Sequence, residues 1–302
     1  MRALIALSFI GILPVGLQAQ DPLRPHSPET LAAVLRYMDY DVSMPLNAQV
    51  VSTEMVLGFR REKIVFTGAH GDRVPGFLAV PEGSTPAPVV LLVHAGASSK
   101  DSWWVPDGYE SAVPLTQGLL EAGFALLALD AQYHGERAAA IDYVPIVTLY
   151  FENEWWASFR TIVSETVADY RRALDYLTTR EDVDASRVGA VGQSLGGMIA
   201  LDLAAADDRV TTVVAGSAAV AAPWLFPLTS HNASSALTTQ AVLLMAGSRD
   251  QMIEEAWTQR LYSLIPSSEK RVVVLDSEHR LGEEYIPLAL QWIAAHLQPS
   301  ER

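Results

Sequence analysis

The segment Gly192-Gln193-Ser194-Leu195-Gly196 holds a serine with a glycine two positions before it and another two positions after it. An apolar run precedes this segment and a run rich in alanine and leucine follows it, which predicts a strand, a sharp turn and a helix. A serine at such a turn has a strained backbone and an exposed hydroxyl, and bulky side chains two positions away would collide. The pattern predicts Ser194 as a nucleophile, and the alternative interpretation is an ordinary glycine-rich turn.

A serine nucleophile needs a histidine as its base and a carboxylate that orients the histidine. In sites of this strand–turn–helix kind, both follow the serine in the chain. His279 lies just after the apolar run 271–275, in a loop that can reach over a sheet edge. The other late histidine, His296, falls inside the predicted last helix, which favours a surface or packing role. We therefore predict His279 as the base.

The predicted carboxylate is Asp250, which follows the apolar run 241–246 within Gly247-Ser248-Arg249-Asp250. The carboxyl end of a parallel strand is where an α/β protein places its site. Asp276 and Glu278 are rivals, but both are so near His279 in sequence that they reach its far ring nitrogen awkwardly. The alternative for Asp250 is a helix cap or a solvated loop charge.

Acyl transfer also needs backbone N–H donors for the oxyanion. One is predicted at Leu195, the residue after the nucleophile. The other is predicted in the segment 94–97, which leaves the apolar run 88–94 and is rich in small residues that let a substrate approach the backbone. We expect the N–H of Gly96 there, and Ala95 and Ala97 stay open as alternatives.

The elements that must position these residues alternate between apolar runs and helical patterns from residue 63 onward. Such alternation predicts an α/β fold with a mostly parallel central sheet and helices on both of its faces. Continuous apolar runs, as expected of strands buried on both faces, fall at 88–94 and 124–130. Helical patterns fall at 159–179, 195–206 and 283–297. We expect one such domain with a small cap made of loops.

Together these segments resemble the α/β-hydrolase superfamily and, within it, the dienelactone-hydrolase-like esterases. The resemblance covers roughly residues 60 to 297 and is carried by the segments 94–96, 130–137, 192–197, 247–250 and 277–279. It implies an eight-stranded type of sheet, a triad of Ser194, His279 and Asp250, and no cofactor. Serine stands where the namesake enzymes have cysteine, and the loop reads His-Ala-Gly where His-Gly is usual.

His134-Gly135 is a second histidine site with two interpretations. In the superfamily that this sequence resembles, the equivalent turn is structural, which favours a structural role with Gly135 at positive φ over a catalytic role.

Four aromatic residues lie on segments that leave the carboxyl ends of predicted strands, and they are predicted to roof a substrate pocket. The alternative is that they pin long loops to the core. The four are Trp103, Tyr133, Trp155 and Trp224.

Composition excludes several classes of function. The 302 residues include 35 acidic and 21 basic side chains, for a net charge of −14, so no basic field favours nucleic acid. Cysteine is absent, which excludes disulfides, cysteine-ligated zinc, iron–sulfur clusters and a cysteine nucleophile. We expect neither a metal nor a cofactor.

The N-terminus predicts export. Arg2 precedes the uncharged apolar run 3–17, and Leu17-Gln18-Ala19 supplies a small-residue cleavage site. This arrangement is typical of a secretory signal over residues 1–19. The run is shorter than the ~20 residues that span a bilayer, and an uncleaved anchor is the alternative. We expect a leader and short helix over 20–62, the hydrolase domain over 63–302, no stable membrane span after cleavage, and a secreted or periplasmic protein.

The sequence therefore predicts a serine hydrolase whose partner is a small-molecule carboxylic ester. Short acyl groups are expected, because the roof segments 131–158 and 217–239 show no sustained amphipathic helix of the kind that forms a lipase lid. Two alternatives remain: a peptidase or amidase with the same triad, and a catalytically silent binding protein.

Overall fold

In a computed structural model of the chain, nine strands of the described residues form one sheet. The structure describes residues 23–83, 86–106, 108–109, 112–144, 148, 156–220 and 228–297. The predicted signal segment, Trp155 and Trp224 lie outside the described residues. The strands are β1 (Gln49–Val56), β2 (Phe59–Thr67), β3 (Arg73–Ala79), β4 (Ala87–Val93), β5 (Ala125–Leu129), β6 (Val183–Gln193), β7 (Val210–Gly216), β8 (Ala241–Gly247) and β9 (Lys270–Leu275).

The strand order is β1-β2-β3-β5-β4-β6-β7-β8-β9. The first three strands are antiparallel to their neighbours, while β4 to β9 run parallel to one another. The chain passes from β4 to β5 on one side of β4 and then crosses to β6 on its other side. The loops that follow β4 and β6 therefore meet at a topological switch point, where α/β sheets bind ligands.

Helices cover both faces of the sheet, as predicted. The α-helices of the described residues are α1 (Pro28–Leu35), α2 (Val113–Glu121), α3 (Trp156–Leu177), α4 (Leu195–Ala206), α5 (Ser230–Ser234), α6 (Glu255–Leu264) and α7 (Tyr285–Leu297). Within the described ranges, no helix has both the length and the apolarity to cross a membrane.

Strand β4 shows how the two faces are built. Val89, Leu91 and Val93 join the apolar cluster that contains α3 and α4, whereas Val90 and Leu92 join the cluster that contains α2 and α7. All seven residues of β4 are buried, which explains its unbroken apolar run. Because successive side chains point to opposite faces, one strand contributes to both halves of the core.

Strand β1 is the strand of the sheet that the sequence did not reveal. Its burial pattern is exposed over seven of eight residues, and it lies at the edge of the sheet, paired with β2. A strand with neither face buried carries no apolar alternation, so periodicity could not find it. The sheet begins at Gln49, within the segment 20–62 that we expected to be leader and helix. Over the part of the chain that the structure describes, the sheet has nine strands, where the resemblance implied an eight-stranded type.

A tyrosine bridges the ends of two central strands. The ladder between β4 and β5 runs as far as Leu92 and Ala128. There the hydroxyl of Tyr170 from α3 donates to the carbonyl of Leu92 at 2.7 Å and accepts from the N–H of Leu129 at 3.2 Å. The bridge satisfies backbone groups where the strands separate into the loops that form the site.

Helix α4 buries a carboxyl group. Asp202 is 1% exposed, and its Oδ2 has no hydrogen-bond partner among the described residues. Burial without a compensating charge disfavours the carboxylate and raises the pKa of Asp202 to about 8. The folded chain therefore holds a proton on Asp202 at pH values where the unfolded chain has released it.

This proton makes stability depend on pH. The unfolded pKa is about 3.9, so the folded state loses stability as pH rises from about 4 to about 8. Asp202→Asn removes this loss. We expect the free energy of unfolding of the variant, minus that of the wild type, to increase between pH 5 and pH 8 by an amount on the order of 3 kcal/mol. Thermal melts across this range measure it. Asp208→Asn, at an exposed position next to the same helix, is the matched control. Parallel pH profiles for wild type and Asp202→Asn would contradict the assignment.

Candidate active site

Ser194 connects β6 to α4 with a backbone that few residues adopt. Its φ is 56° and its ψ is −120°. The N–H of Ser194 donates to the carbonyl of Gly216 at 2.9 Å, and the carbonyl of Ser194 accepts from the N–H of Ala219 at 3.1 Å. These bonds to the neighbouring strand end hold a conformation that is costly for a residue with a Cβ.

The two glycines of the pattern are required by backbone contact. A Cβ on Gly192 would lie 2.3 Å from the carbonyl oxygen of Gly196. A Cβ on Gly196 would lie 2.1 Å from the carbonyl oxygen of Val93, at the end of β4. The first turn of α4 therefore packs directly on the end of β4, and a side chain at either position would separate them.

The structure brings the three predicted triad residues together. The Nε2 of His279 lies 2.9 Å from the Oγ of Ser194, and its Nδ1 lies 2.8 Å from Oδ2 of Asp250. With Nδ1–H donating to the carboxylate, Nε2 is left to accept the proton of the serine hydroxyl. The side chains of Asp250 and His279 are 1% and 13% exposed, so the carboxylate is buried beneath a histidine that reaches solvent.

Asp250 is oriented by its own loop. Its Oδ1 accepts from the N–H groups of Met252 and Ile253, at 2.8 and 2.9 Å, while Oδ2 faces His279. The local capping interaction that we considered as an alternative thus coexists with the contact to the imidazole. The two oxygens have separate tasks, one fixing the carboxyl group and the other fixing the ring.

The rival residues lie elsewhere. The side chain of Asp276 is 86% exposed and pairs with Arg249. Glu278 is exposed. The Nδ1 of His296 lies 2.8 Å from the carbonyl of Trp292, one turn earlier in α7.

The loop after β4 forms a tight turn against the start of α4. The N–H of Ser98 donates to the carbonyl of Ala95 at 3.1 Å. The N–H groups of Gly96 and Ala97, in the middle of the turn, have no acceptor among the described residues. A Cβ on Gly96 would lie 3.6 Å from Cβ of Leu195. The turn therefore faces the first residue of α4, and its amides are candidate oxyanion donors beside the N–H of Leu195.

His94 holds the first peptide of this turn. Its Nδ1–H donates to the carbonyl of Ala95 at 2.8 Å, and its Nε2 accepts from the N–H of Ala131 at 2.9 Å. Burial, helped by the nearby His134, lowers the pKa of His94 to about 3. The ring is therefore neutral at ordinary pH and has a fixed tautomer, which suits a structural residue and not a base.

A buried ion pair joins the turn to the next strand end, and sequence reasoning missed it. The Nζ of Lys100 lies 2.8 Å from both Oδ2 of Asp130 and Oε1 of Glu136, and the N–H of Lys100 donates to Oδ1 of Asp130 at 3.0 Å. Burial opposes the charge on Lys100, but Asp130 and Glu136 outweigh it and raise its pKa. No local pattern marks a lysine that folds inward, so spacing could not have found this pair.

The predicted pocket aromatics have different outcomes. Trp103 is fully buried in the apolar cluster of α2 and α7, so the structure corrects its predicted place in a substrate pocket. The 3₁₀-helix Lys100–Trp103 turns its ring into the core, and Thr116 donates to its carbonyl at 2.7 Å. Tyr133 is partly buried, packs against the apolar cluster that contains α3 and α4, and adopts φ 65°. The structure does not describe Trp155 or Trp224, which remain predictions. Across the described ranges, no group of three or more His, Cys, Asp or Glu residues is placed to hold a metal ion.

Comparison with known proteins places this geometry in a family. The model of the alpha/beta hydrolase family matches residues 90–295, and the chain belongs to this family. Putative hydrolase YtaP of Bacillus subtilis (strain 168) is 27% identical over 165 residues, which are 51% of this chain and 53% of YtaP. The match thus spans about half the length of that relative.

Two solved esterase structures have the same fold. A cold-adapted esterase from an Arctic intertidal metagenomic library, in complex with PEG, aligns with a TM-score of 0.68 and 20% identity, covering 84% of this chain and all of the other. Acetyl xylan esterase 1 from Thermoanaerobacterium sp. JW/SL YS485 aligns with a TM-score of 0.68 and 17% identity, covering 91% and 95%. At these identities the likeness establishes the fold.

Substitution of Gly196 tests the contact that positions the nucleophile. Gly196→Ala places a methyl group against the backbone of β4. We expect the free energy of unfolding to fall by an amount on the order of 3 kcal/mol or more, since neither backbone segment can move away. Gly96→Ala is the matched control, because its methyl group makes only ordinary contact with Leu195. Chemical unfolding of both variants measures the difference. Equal stability of the two variants would show that the close approach of α4 to β4 is not a constraint.

Proposed function

We propose that this chain hydrolyses carboxylic esters through an acyl-enzyme in which Ser194 is the nucleophile, His279 the general base and Asp250 its orienting acid. The observation that carries the proposal is the continuous pair of hydrogen bonds from Asp250 through His279 to the Ser194 hydroxyl. The strained turn and the unsatisfied amides beside it support the same chemistry, since acyl transfer needs an exposed nucleophile and donors for the oxyanion.

The steps follow from the geometry. Ser194 Oγ attacks the ester carbonyl while Nε2 of His279 takes its proton, and Asp250 stabilises the imidazolium that forms. The N–H groups of Leu195 and of Gly96 or Ala97 stabilise the negative charge on the carbonyl oxygen. The imidazolium then protonates the leaving alcohol. Water, activated by the same ring, attacks the acyl-enzyme and releases the acid.

The proposed substrates are esters with short acyl groups. Two of the solved structures with this fold are named as an esterase and an acetyl xylan esterase. In the two segments expected to form a roof, the structure describes the short 3₁₀-helix Gly135–Ile141 and the five-residue α5, neither of which is long enough to present a wide apolar face. An ester is favoured over an amide, since an amine must be protonated before it leaves.

Neutralising each of the two candidate acids in turn tests the triad. Asp250→Asn removes the charge that fixes the imidazole tautomer, and we expect kcat to fall roughly 10⁴-fold, while Ser194→Ala loses about 10⁶-fold. Asp276→Asn is the matched control, because its side chain is exposed and paired with Arg249. Hydrolysis of a nitrophenyl acetate ester measures all three. Full activity in Asp250→Asn with loss in Asp276→Asn would reverse the assignment of the acid.

A panel of substrates tests the ester class and the acyl length. We expect kcat/KM for acetyl or butyryl esters to exceed that for a palmitoyl ester and for the matching amide, all below their aggregation limits. The panel uses chain recovered from the periplasm or medium, which starts at Gln20 if residues 1–19 are a cleaved signal. Faster turnover of the palmitoyl ester, followed by a jump in rate when its concentration is raised past the micellar threshold, indicates a lipase, and faster turnover of the amide indicates an amidase.

A further inference from the structure

His134 lies between the two loops that follow β4 and β5. It is 4% exposed, and its Nε2 lies 3.0 Å from the carbonyl oxygen of Gly96, in the middle of the candidate oxyanion turn. Its Nδ1 lies 2.8 Å from the carbonyl oxygen of Gln132, within its own turn. The ring thus spans the gap between the turn that faces Leu195 and a turn anchored in the sheet.

The turn that carries His134 is held rigidly. Tyr133 adopts φ 65°, which is unusual for an aromatic residue and persists only where the surroundings enforce it. Gly135 adopts φ 50°, as predicted, and a Cβ there would lie 2.2 Å from a carboxylate oxygen of Asp130. The guanidinium of Arg137 donates to the carbonyl of Asp130 at 3.2 Å. His134 is therefore a fixed point from which a neighbouring loop can be oriented.

Peptide geometry converts this contact into an effect at the site. In a trans peptide the C=O and N–H groups point in opposite directions. The carbonyl of Gly96 and the N–H of Ala97 belong to one peptide, so pinning the carbonyl to His134 directs the amide of Ala97 away from that ring. Among the described residues, Nε2 of His134 is the nitrogen that lies within hydrogen-bond distance of the Gly96 carbonyl, and the amides of Gly96 and Ala97 have no acceptor.

We propose that His134 is a positioning residue for an oxyanion donor, donating from Nε2–H to the Gly96 carbonyl and so orienting the Ala97 amide toward the first residue of α4. The proposal rests on the proposed ester hydrolysis, and it assigns a task to a histidine that the triad does not use. His134 acts through the turn and has no contact of its own with the Ser194 hydroxyl in this arrangement.

The charges around the ring are compatible with a neutral donor. Burial lowers the pKa of His134, while the facing carbonyls of Gln132 and Gly96 and the charge of Asp130 oppose the shift. The Arg137 guanidinium also disfavours a second positive charge there. Because both ring nitrogens face carbonyl oxygens, a neutral ring donates to only one of them, and the proposed tautomer places the proton on Nε2, toward Gly96.

The expected effect is confined to the transition state. Removal of an oxyanion donor costs about 10²–10³ in kcat, and a misaligned donor costs less, on the order of 10- to 100-fold. Ground-state binding of an ester does not require these amides to be aligned, so KM should change little. A trifluoromethyl ketone, whose adduct with Ser194 carries an oxyanion, should lose affinity by a factor similar to the loss in kcat.

The experiment compares His134→Leu, which fills space without a donor, with His134→Gln, whose amide N–H can replace Nε2–H. His296→Leu is the control, because that histidine also contacts a backbone carbonyl but lies in α7. For each variant, kcat and KM for an acetyl ester, the affinity for the trifluoromethyl ketone and the melting temperature are measured. Melting curves identify any loss that comes from unfolding.

We expect His134→Leu to lose about 10- to 100-fold in kcat and in affinity for the ketone, while its KM stays within about twofold of the wild type. His134→Gln should recover most of the kcat and most of the ketone affinity. A folded His134→Leu variant with the kcat of the wild type overturns the proposal, and so does an effect of this variant on KM alone. A folded His134→Gln variant that is as impaired as His134→Leu overturns it too. If the wild-type chain neither hydrolyses esters nor forms the ketone adduct, the proposed function itself fails. The wild-type measurement therefore separates the two failures.

Discussion

The contact between the first turn of α4 and the end of β4 is the constraint on which the rest of the site depends. Backbone approaches this close are possible only with glycine, and Gly196 supplies it at the carbonyl of Val93. The contact fixes where α4 begins, directly after Ser194, whose φ of 56° is held by its bonds to Gly216 and Ala219. It also places the turn after β4 against Leu195, so one approach of two backbones sets both the nucleophile and the candidate oxyanion donors.

The loops around this contact are held by buried polar groups and not by apolar packing alone. Lys100 and Asp130 are almost inaccessible to solvent and join the turn after β4 to the turn after β5. Arg137 extends the network to Asp169 of α3 at 2.7 Å. A buried pair contributes little net stability, but loss of one partner leaves an unpaired charge and is costly. Such pairs therefore specify loop geometry, which is what a site that stabilises charge requires.

The sequence predicted the parts of the site that local rules determine. Steric and topological limits that any such site obeys determine three features. They are the glycine spacing around Ser194, the apolar runs before Asp250 and His279, and the order of these residues in the chain. The structure accordingly brings these three side chains together. The family match confirms the α/β-hydrolase fold that the same segments implied.

The parts that were not predicted depend on tertiary contacts. β1 carries no apolar alternation because both of its faces are exposed, and Lys100 folds inward because a carboxylate two loops away neutralises it. Trp103 was expected in a pocket because it follows a strand end, but the direction of its ring is set by a short 3₁₀-helix that spacing does not reveal. His134 had the right neighbours for a structural turn, yet its contact with Gly96 depends on where another loop ends.

The central claim is that Ser194 carries the acyl group during turnover. The most direct measurement is acid quenching of the chain during hydrolysis of a nitrophenyl acetate ester, followed by peptide mass spectrometry. We expect one acetyl group per chain on the peptide that contains Ser194, which disappears as the substrate is exhausted and is absent from Ser194→Ala. Steady turnover with no adduct, or with the acetyl group on another residue and undiminished in Ser194→Ala, would contradict it.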